Sequence, residues 1–275
     1  EPVAARFEDA FVDMLGGGPG GRSALAAAAT PVTGKDGPSV IEALFAGELD
    51  LSYIGPNPTI NGYIKSGGEA LRVVAGSTSG GAVMVVQPDF KFTGPKDMDG
   101  KTFASPQFGN TQDVALRYYI VNGGLELAEK GGSVKVVPMA NPDILTLFLK
   151  REIDGAWVPE PWGARLTLEG NGKLAVDERD LWPGGQFVTA NIIVSTKFLK
   201  EHPDLVKKWL SAHVDVTSWI EANPVDAQKQ MNEEIKRITG KALGEKVLEQ
   251  AMGRLEATWD PIAPSLRTSA EQAYR

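Results

Sequence analysis

Residues 38–58, PSVIEALFAGELDLSYIGPNP, decide the reading of this chain. Pro38 suits the first turn of a helix, where its missing N–H has no partner to lose. Val40, Ile41, Leu44 and Phe45 recur at the spacing of one helical face. Gly47 supplies a left-handed stop. Leu51 to Ile54 then reads as a short strand. Asn57-Pro58 reads as an N-cap followed by the first residue of a second helix, with Ile60 and Ile64 buried. The pattern returns in residues 142–162, PDILTLFLKREIDGAWVPEPW. Pro38, Glu48 and Asp50 fall on Pro142, Glu152 and Asp154. Val40, Leu44, Leu49, Tyr53 and Ile54 fall on Ile144, Phe148, Ile153, Trp157 and Val158. One α/β unit used twice, once in each of two lobes, accounts for the echo. Its two loops, Gly55-Pro56-Asn57-Pro58 and Pro159-Glu160-Pro161, are expected to face each other across a cleft.

The chain has 275 residues, enough for two such lobes. Hydrophobic content of 42% and charged content of 23% are ordinary for a globular protein. A net charge of -7 with no cluster of lysine and arginine argues against nucleic-acid binding. Cysteine is absent, which removes disulfides, thiolate metal sites and cysteine nucleophiles. No apolar run approaches the roughly 20 residues of a membrane span. No basic and apolar leader precedes Glu1, which fits a cytosolic protein or the mature part of an exported one. The helical pattern opened by Pro264-Ser265 stops at Arg275, so the C-terminus reads as cut.

Phe7, Phe11, Val12 and Leu15 suit a short helix, ended by the glycine-rich run 16–21. Ala24–Ala29 fits helix or strand. Leu71–Ala75 and Val83–Val86 read as strands separated by a loop, Gly76-Ser77-Thr78-Ser79-Gly80-Gly81. Thr102–Ala104 opens the second lobe and leads through Ser105-Pro106-Gln107-Phe108-Gly109 to a helix. Asn110 is its N-cap, Asp113 its third residue and Gly123 its end. Val134–Val137 and Ala156–Val158 are further strands, and Asn191–Val194 returns the chain to the first lobe. Pro203, Asn223-Pro224 and the Val247–Leu255 apolar series mark three helices of the tail. Strands alternating with helices predict an α/β fold with parallel sheets covered on both faces.

Most enzyme motifs fail. Gly94–Thr102 has one residue too many for a phosphate-binding loop. Asp97 and Asp99 start a calcium-loop pattern whose closing glutamate is replaced by Phe108. The serines of the run 76–80 miss the central position of a nucleophile elbow. His202 reads as a helix cap and His213 as a packed or surface residue, so neither suggests a general base or metal ligand. What remains is a set of polar loops read as helix N-termini: Asn57, the run 77–81, and Gly109-Asn110-Thr111-Gln112. Free N–H groups and the positive dipole end favour an anion there. Glu160 would repel an anion but could hold an ammonium group; otherwise it forms a salt bridge, with Arg165 a candidate. Trp157 and Trp162 either line the cleft or fill the core.

Three segments carry a resemblance to a known family: GELDLSYIGPNPTINGYIKSGGEALRVVAGSTSGG, KTFASPQFGNTQDVALR and REIDGAWVPEPWGARL. In order and spacing they resemble the substrate-binding proteins of ABC importers for sulfonates, nitrate and taurine, over roughly residues 38–275. The resemblance implies a two-lobed periplasmic-binding fold of the second type, each lobe a mostly parallel sheet flanked by helices. It places lobe one at about 1–83 and 195–275 and lobe two at about 84–194, with the ligand in the cleft at the hinge. It implies contacts from Pro56, Asn57, Ser79, Gly80 and Gly81 in the first lobe. In the second they are Gln107, Gly109, Asn110, Thr111 and Gln112, with Glu160 and Asn191 nearer the hinge. The family's opening strand, with its turn toward the ligand, has no counterpart in residues 1–37. The resulting expectation is a monomeric, extracytoplasmic binder of a small oxyanion, foremost an aliphatic sulfonate, that docks on a membrane permease without metal or cofactor. The alternatives are a nitrate, taurine or bicarbonate binder, a sensor domain, or a desulfinase-like or pyrimidine-synthesis-like enzyme on the same fold.

Overall fold

The structure, a computed structural model, describes residues 37–273. The helix at Phe7–Leu15, the glycine-rich run and the sought first strand all lie outside the described residues.

The decisive stretch folds as its pattern predicts, with shifted details. Helix α1 (Gly37–Phe45) buries Val40, Ile41, Ala43 and Leu44 and leaves Phe45 exposed. Strand β1 (Leu51–Ile54) follows, then helix α2 (Pro56–Lys65). Gly55, not Asn57, is the capping residue, which puts Asn57 inside the first turn. That two-residue displacement rotates the buried face to Pro56, Asn57, Pro58, Thr59 and Gly62, and leaves Ile64 exposed. Strand β2 (Leu71–Gly80) absorbs the expected loop, because its glycines and serines continue the pairing with the strand beside it. No helix follows; the chain passes through Gly81 directly into β3 (Ala82–Val86).

The chain then builds β4 (Thr102–Ser105), helix α3 (Thr111–Asn122), β5 (Lys135–Pro138), helix α4 (Asn141–Leu149), β6 (Gly155–Pro159), helix α5 (Trp162–Leu168) and β7 (Lys173–Asp177). It returns through β8 (Val188–Ser195) to α6 (Thr196–Glu201), α7 (Pro203–Ala222), α8 (Pro224–Thr239) and α9 (Glu245–Met252). Strand β9 (Leu255–Ala257) and helix α10 (Ala263–Ala273) follow. Leu255, read from its spacing as helical, belongs to β9. Both copies of the echoed unit are helix–strand–helix: α1-β1-α2 and α4-β6-α5.

Two sheets result, ordered β1-β8-β2-β9 and β5-β4-β6-β3-β7. The two-sheet α/β architecture is as expected, but the strand directions depart from mostly parallel sheets. In the first sheet β8 inserts antiparallel between β1 and β2, and β9 also pairs antiparallel with β2. In the second, β4 pairs parallel with β5 and β6, whereas β3 pairs antiparallel with β6 and β7. The reason is the route of the chain. Strands that arrive from the other sheet need no helical crossover, so they are free to enter antiparallel. For the same reason residues 188–194, expected at the end of the second lobe, are hydrogen bonded into the first sheet.

Period-2 alternation in β3 explains the second core. Val83 and Val85 join Ile144, Phe148 and Leu166 from α4 and α5 on one face. Met84 and Val86 join Leu116, Ile120 and Trp157 on the other. Covered on both faces, β3 reads as an unbroken apolar run. In the first sheet Ile54, Leu71 and Ile193 pack against Val40, Ile41 and Leu44 of α1. Among the described residues no helix is long and apolar enough to cross a membrane.

Candidate functional site

The best-defined polar centre is the amino end of α3. Asn110 caps it as predicted, its Oδ1 accepting from Thr111 N at 2.7 Å. Asp113, third in the helix, is buried and accepts from Ser105 Oγ at 2.6 Å and Gly109 N at 3.0 Å. Arg117 neutralises it through Nε at 2.9 Å and reaches Glu129 at 2.6 Å. The helix therefore carries its own balanced carboxylate, and the amides of Gln112 and Asp113 remain as first-turn donors.

The loop after β1 of the first sheet meets this end at Gly55. A Cβ there would overlap Thr111 Oγ1 and lie 3.7 Å from the Thr189 carbonyl oxygen. Only glycine lets the backbone come this close. Behind Gly55, Thr59 Oγ1 donates to the Gly55 carbonyl at 2.9 Å, and Asn191 Nδ2 donates to Thr59 Oγ1 at 3.1 Å. Asn191 lies in the centre of β8 with no exposed surface. Asn57 is also buried, but its Nδ2 donates to the Ser269 carbonyl of α10 at 3.4 Å.

Ser79, Gly80 and Gly81 lie where β2 passes into β3. Ser79 is buried and stands opposite Val188 and Glu256 in the sheet. Gly80 and Gly81 both have φ of +72°, and side chains there would strike the Arg254 carbonyl and Leu255. The Gly80 carbonyl accepts from Thr189 Oγ1, and the Gly81 carbonyl accepts from Glu160 N at 2.7 Å. This is a crossing point held by backbone contacts rather than the helix N-terminus that the sequence suggested.

Glu160 is fully engaged. Its Oε1 pairs with Arg254 Nη1 at 2.5 Å, and its Oε2 accepts from Ala164 N at 2.8 Å. Arg165, the predicted partner, binds Glu169 instead and lies over the Trp162 ring. Arg254 stands between α9 and β9, so the pair ties the second sheet's β6 to the first sheet's last strand. Ala164 packs with Val247 and Ala251 alongside it. Of the echoed loops, then, one meets Thr111 and the other Arg254. Trp157 fills the core, and its indole N–H donates to Glu178 at 2.8 Å. Burial pushes the Glu178 carboxyl up to about 7.

Of the two readings of His213, packed or on the surface, the structure shows the packed one. Its Nε2 donates to the Gly76 carbonyl at 2.9 Å, leaving Nδ1 to accept from Tyr53 OH at 3.3 Å. Among the described residues no group of histidine, cysteine, aspartate or glutamate could hold a metal ion.

Buried polar atoms without a hydrogen-bond partner occur at Gln107 Oε1, Thr111 Oγ1 and Asn191 Oδ1, and elsewhere at Asn141 and Thr196. Sequence reasoning had named the first three. It missed Thr59, Thr189 and Arg254, whose roles depend on neighbours far away in the chain. Thr59 alone leaves a trace, four residues after Gly55, where a hydroxyl can reach back to a helix carbonyl.

Comparison with known proteins agrees with this fold. Residues 24–236 match the NMT1-like family, and the chain belongs to it. A putative binding protein of Brucella abortus is 28% identical over 191 residues, covering 69% of this chain and 56% of its own. The taurine-binding periplasmic protein of Escherichia coli is 26% identical over 188 residues, covering 68% and 56%. The chain thus spans about half the length of the curated relatives it matches. The alkanesulfonate-binding protein SsuA of Xanthomonas axonopodis, solved with MOPS, superposes with a TM-score of 0.69 at 19% identity, covering 87% of this chain and 78% of that one.

Proposed function

We propose that this member of the NMT1-like family is an extracytoplasmic solute-binding protein. It captures a small oxyanion, an aliphatic sulfonate, between its two lobes and delivers it to a membrane ABC permease as a monomer. The observation that carries the reading is the orphaned Thr111 Oγ1, a buried hydroxyl in the first turn of α3 whose proton has no acceptor. A buried polar atom without a partner is costly, and a ligand that supplies the partner offsets that cost. This hydroxyl lies against Gly55, where the loop after the first sheet's β1 meets the helix that follows the second sheet's β4. A ligand seated there touches both lobes and favours the closed arrangement.

In this reading the first lobe runs to the Gly80–Gly81 crossing and resumes at β8, and the hinge uses Gly81 and the segment 178–187. The backbone amides of Gln112 and Asp113 donate to the sulfonate oxygens, joined by the Thr111 hydroxyl and the Gln107 Nε2–H group. Asn191 reads the opposite end. Pro56, Asn57, Ser79, Gly80, Gly81, Gly109, Asn110 and Glu160 shape and brace the cleft. The enzyme alternative would draw on cysteine or histidine. The chain has no cysteine, and His213 is committed to Gly76 and Tyr53.

Titration calorimetry with ethanesulfonate, nitrate and bicarbonate tests the reading. The sulfonate is expected to bind most tightly, and Thr111→Val to weaken it by about fivefold or more. Absence of any alkanesulfonate binding at millimolar concentration would sink the proposal.

A further inference from the structure

Residues 178–187 join the second sheet to the first, between the end of β7 and the start of β8. Pro183, Gly184 and Gln186 of this connection are exposed. Its inward anchors are Glu178, Trp182 and Phe187. Trp182 stacks on Phe187 with ring centroids 5.2 Å apart. Glu178 is only 3% exposed and accepts from the indole N–H of Trp157 at 2.8 Å and of Trp182 at 3.3 Å. Trp157 belongs to β6 and Trp182 to the connection, so one carboxyl ties the connection to the second sheet.

Both of its partners are neutral. Strands β3 (AVMVV) and β6 (GAWVP), which lie against the turn Glu178–Leu181, carry no ionisable residue. Tyr119 of α3 packs on Trp157 at 5.4 Å between ring centroids, and burial pushes its phenol up, so it is uncharged. From β7 and the turn come Asp177, Arg179 and the exposed Asp180. Arg179 is committed to Asp177, through Nε at 3.0 Å and Nη2 at 2.6 Å, and Arg254 is committed to Glu160. Ionised, Glu178 would exchange its hydration for two bonds from neutral donors, with a like charge beside it. That setting favours the protonated form. Burial pushes the carboxyl up to about 7, the indole bonds opposing and Asp177 adding to the rise.

We propose that Glu178 is a protonation-controlled clasp on the connection between the two sheets: protonated, it holds residues 178–187 against β6, and ionised, it lets them detach. The clasp goes beyond the sulfonate reading and stands or falls independently of it. Detached, the carboxyl is hydrated and returns to its ordinary range, so the open connection releases the proton first. Rising pH therefore favours opening, and the effect levels off above about 7.

Exchange of the indole N–H protons with solvent, followed by NMR on the full chain at pH 5 and pH 8, is the test. Trp157→Phe and Trp182→Phe identify the two signals. Corrected for the chemical exchange rate, protection of the Trp182 indole is expected to fall by about tenfold or more between the two pH values. At both it should lie below that of the β3 backbone amides by about tenfold or more, because the connection opens while the sheet stays folded. In Glu178→Gln the change with pH should shrink to within about twofold. If that variant does not fold, the two criteria in the unaltered chain decide alone. Equal protection of Trp182 at both pH values overturns the clasp. So does protection equal to that of β3, which means that the connection opens only when the whole protein unfolds. An undiminished pH response in Glu178→Gln overturns it as well, since another group is then titrating.

Discussion

Removing the Arg254 side chain should strand a charge. The Glu160 side chain has 0% of its surface exposed, and Arg254 has 13%. A buried ion pair is tolerated when its geometry is good and its remaining lone pairs are used. Here the guanidinium lies 2.5 Å from Oε1, and Ala164 N serves Oε2. In Arg254→Met the carboxylate keeps one amide donor and no counter-charge, and a loss of about 3–5 kcal/mol is expected. Methionine retains much of the apolar stem, so lost packing contributes little. Glu160→Gln should cost less, about 1–3 kcal/mol, because the partly exposed guanidinium can still reach water. Rotating the Gln250 amide also brings its oxygen to 2.9 Å from Arg254 Nη2. Combining Glu160→Gln with Arg254→Met removes both charges together. The double variant should therefore be more stable than the sum of the single losses allows, by about 2 kcal/mol or more. Urea unfolding followed by tryptophan fluorescence and extrapolated to water measures all four proteins. A loss below about 1 kcal/mol in Arg254→Met, or strict additivity in the double variant, would refute the reasoning.

Three further outcomes are expected. Burial lifts Glu178 to about 7 from 4.5, against the opposing N–H bonds of Trp157 and Trp182, with Asp177 adding to the rise. Below 4.5 both folded and unfolded states hold the proton; above it the unfolded state releases first. Stability from this group therefore falls as pH rises toward 7, by on the order of 3 kcal/mol, and Glu178→Gln should gain on the unaltered protein from pH 5 to pH 8. An identical stability difference at both pH values would contradict this. Burial also lowers His213, with the Gly76 carbonyl opposing, so its stabilising contribution is lost as pH falls below the ordinary histidine range; an NMR titration midpoint at or above 6.5 would disprove the shift. Gly81→Val should destabilise by about 2 kcal/mol or more, since it combines a left-handed backbone with a clash against Leu255. Unchanged thermal stability would show that the crossing is not held as described.

The legible parts of the fold were those in which local pattern and tertiary role coincide. Asn110 with Asp113 and Gly123 marked a helix whose cap is local, and the echo at Pro38 and Pro142 marked two α/β units whose apolar faces are each set within about twenty residues. The run 76–81 misled because glycine and serine usually signal a loop. Here β8 and β9 supply the pairing, and they lie more than a hundred residues away. Glu160 was half legible for a related reason. Its salt bridge was among the readings, but the partner is Arg254 in place of Arg165, and nothing local reveals that Arg254 arrives to claim it. Even where the residue choice was right, its chemistry was not fully legible. Asn191 was named through resemblance, yet whether it offers a donor or an acceptor depends on the proton of Thr59, which depends in turn on the Gly55 carbonyl.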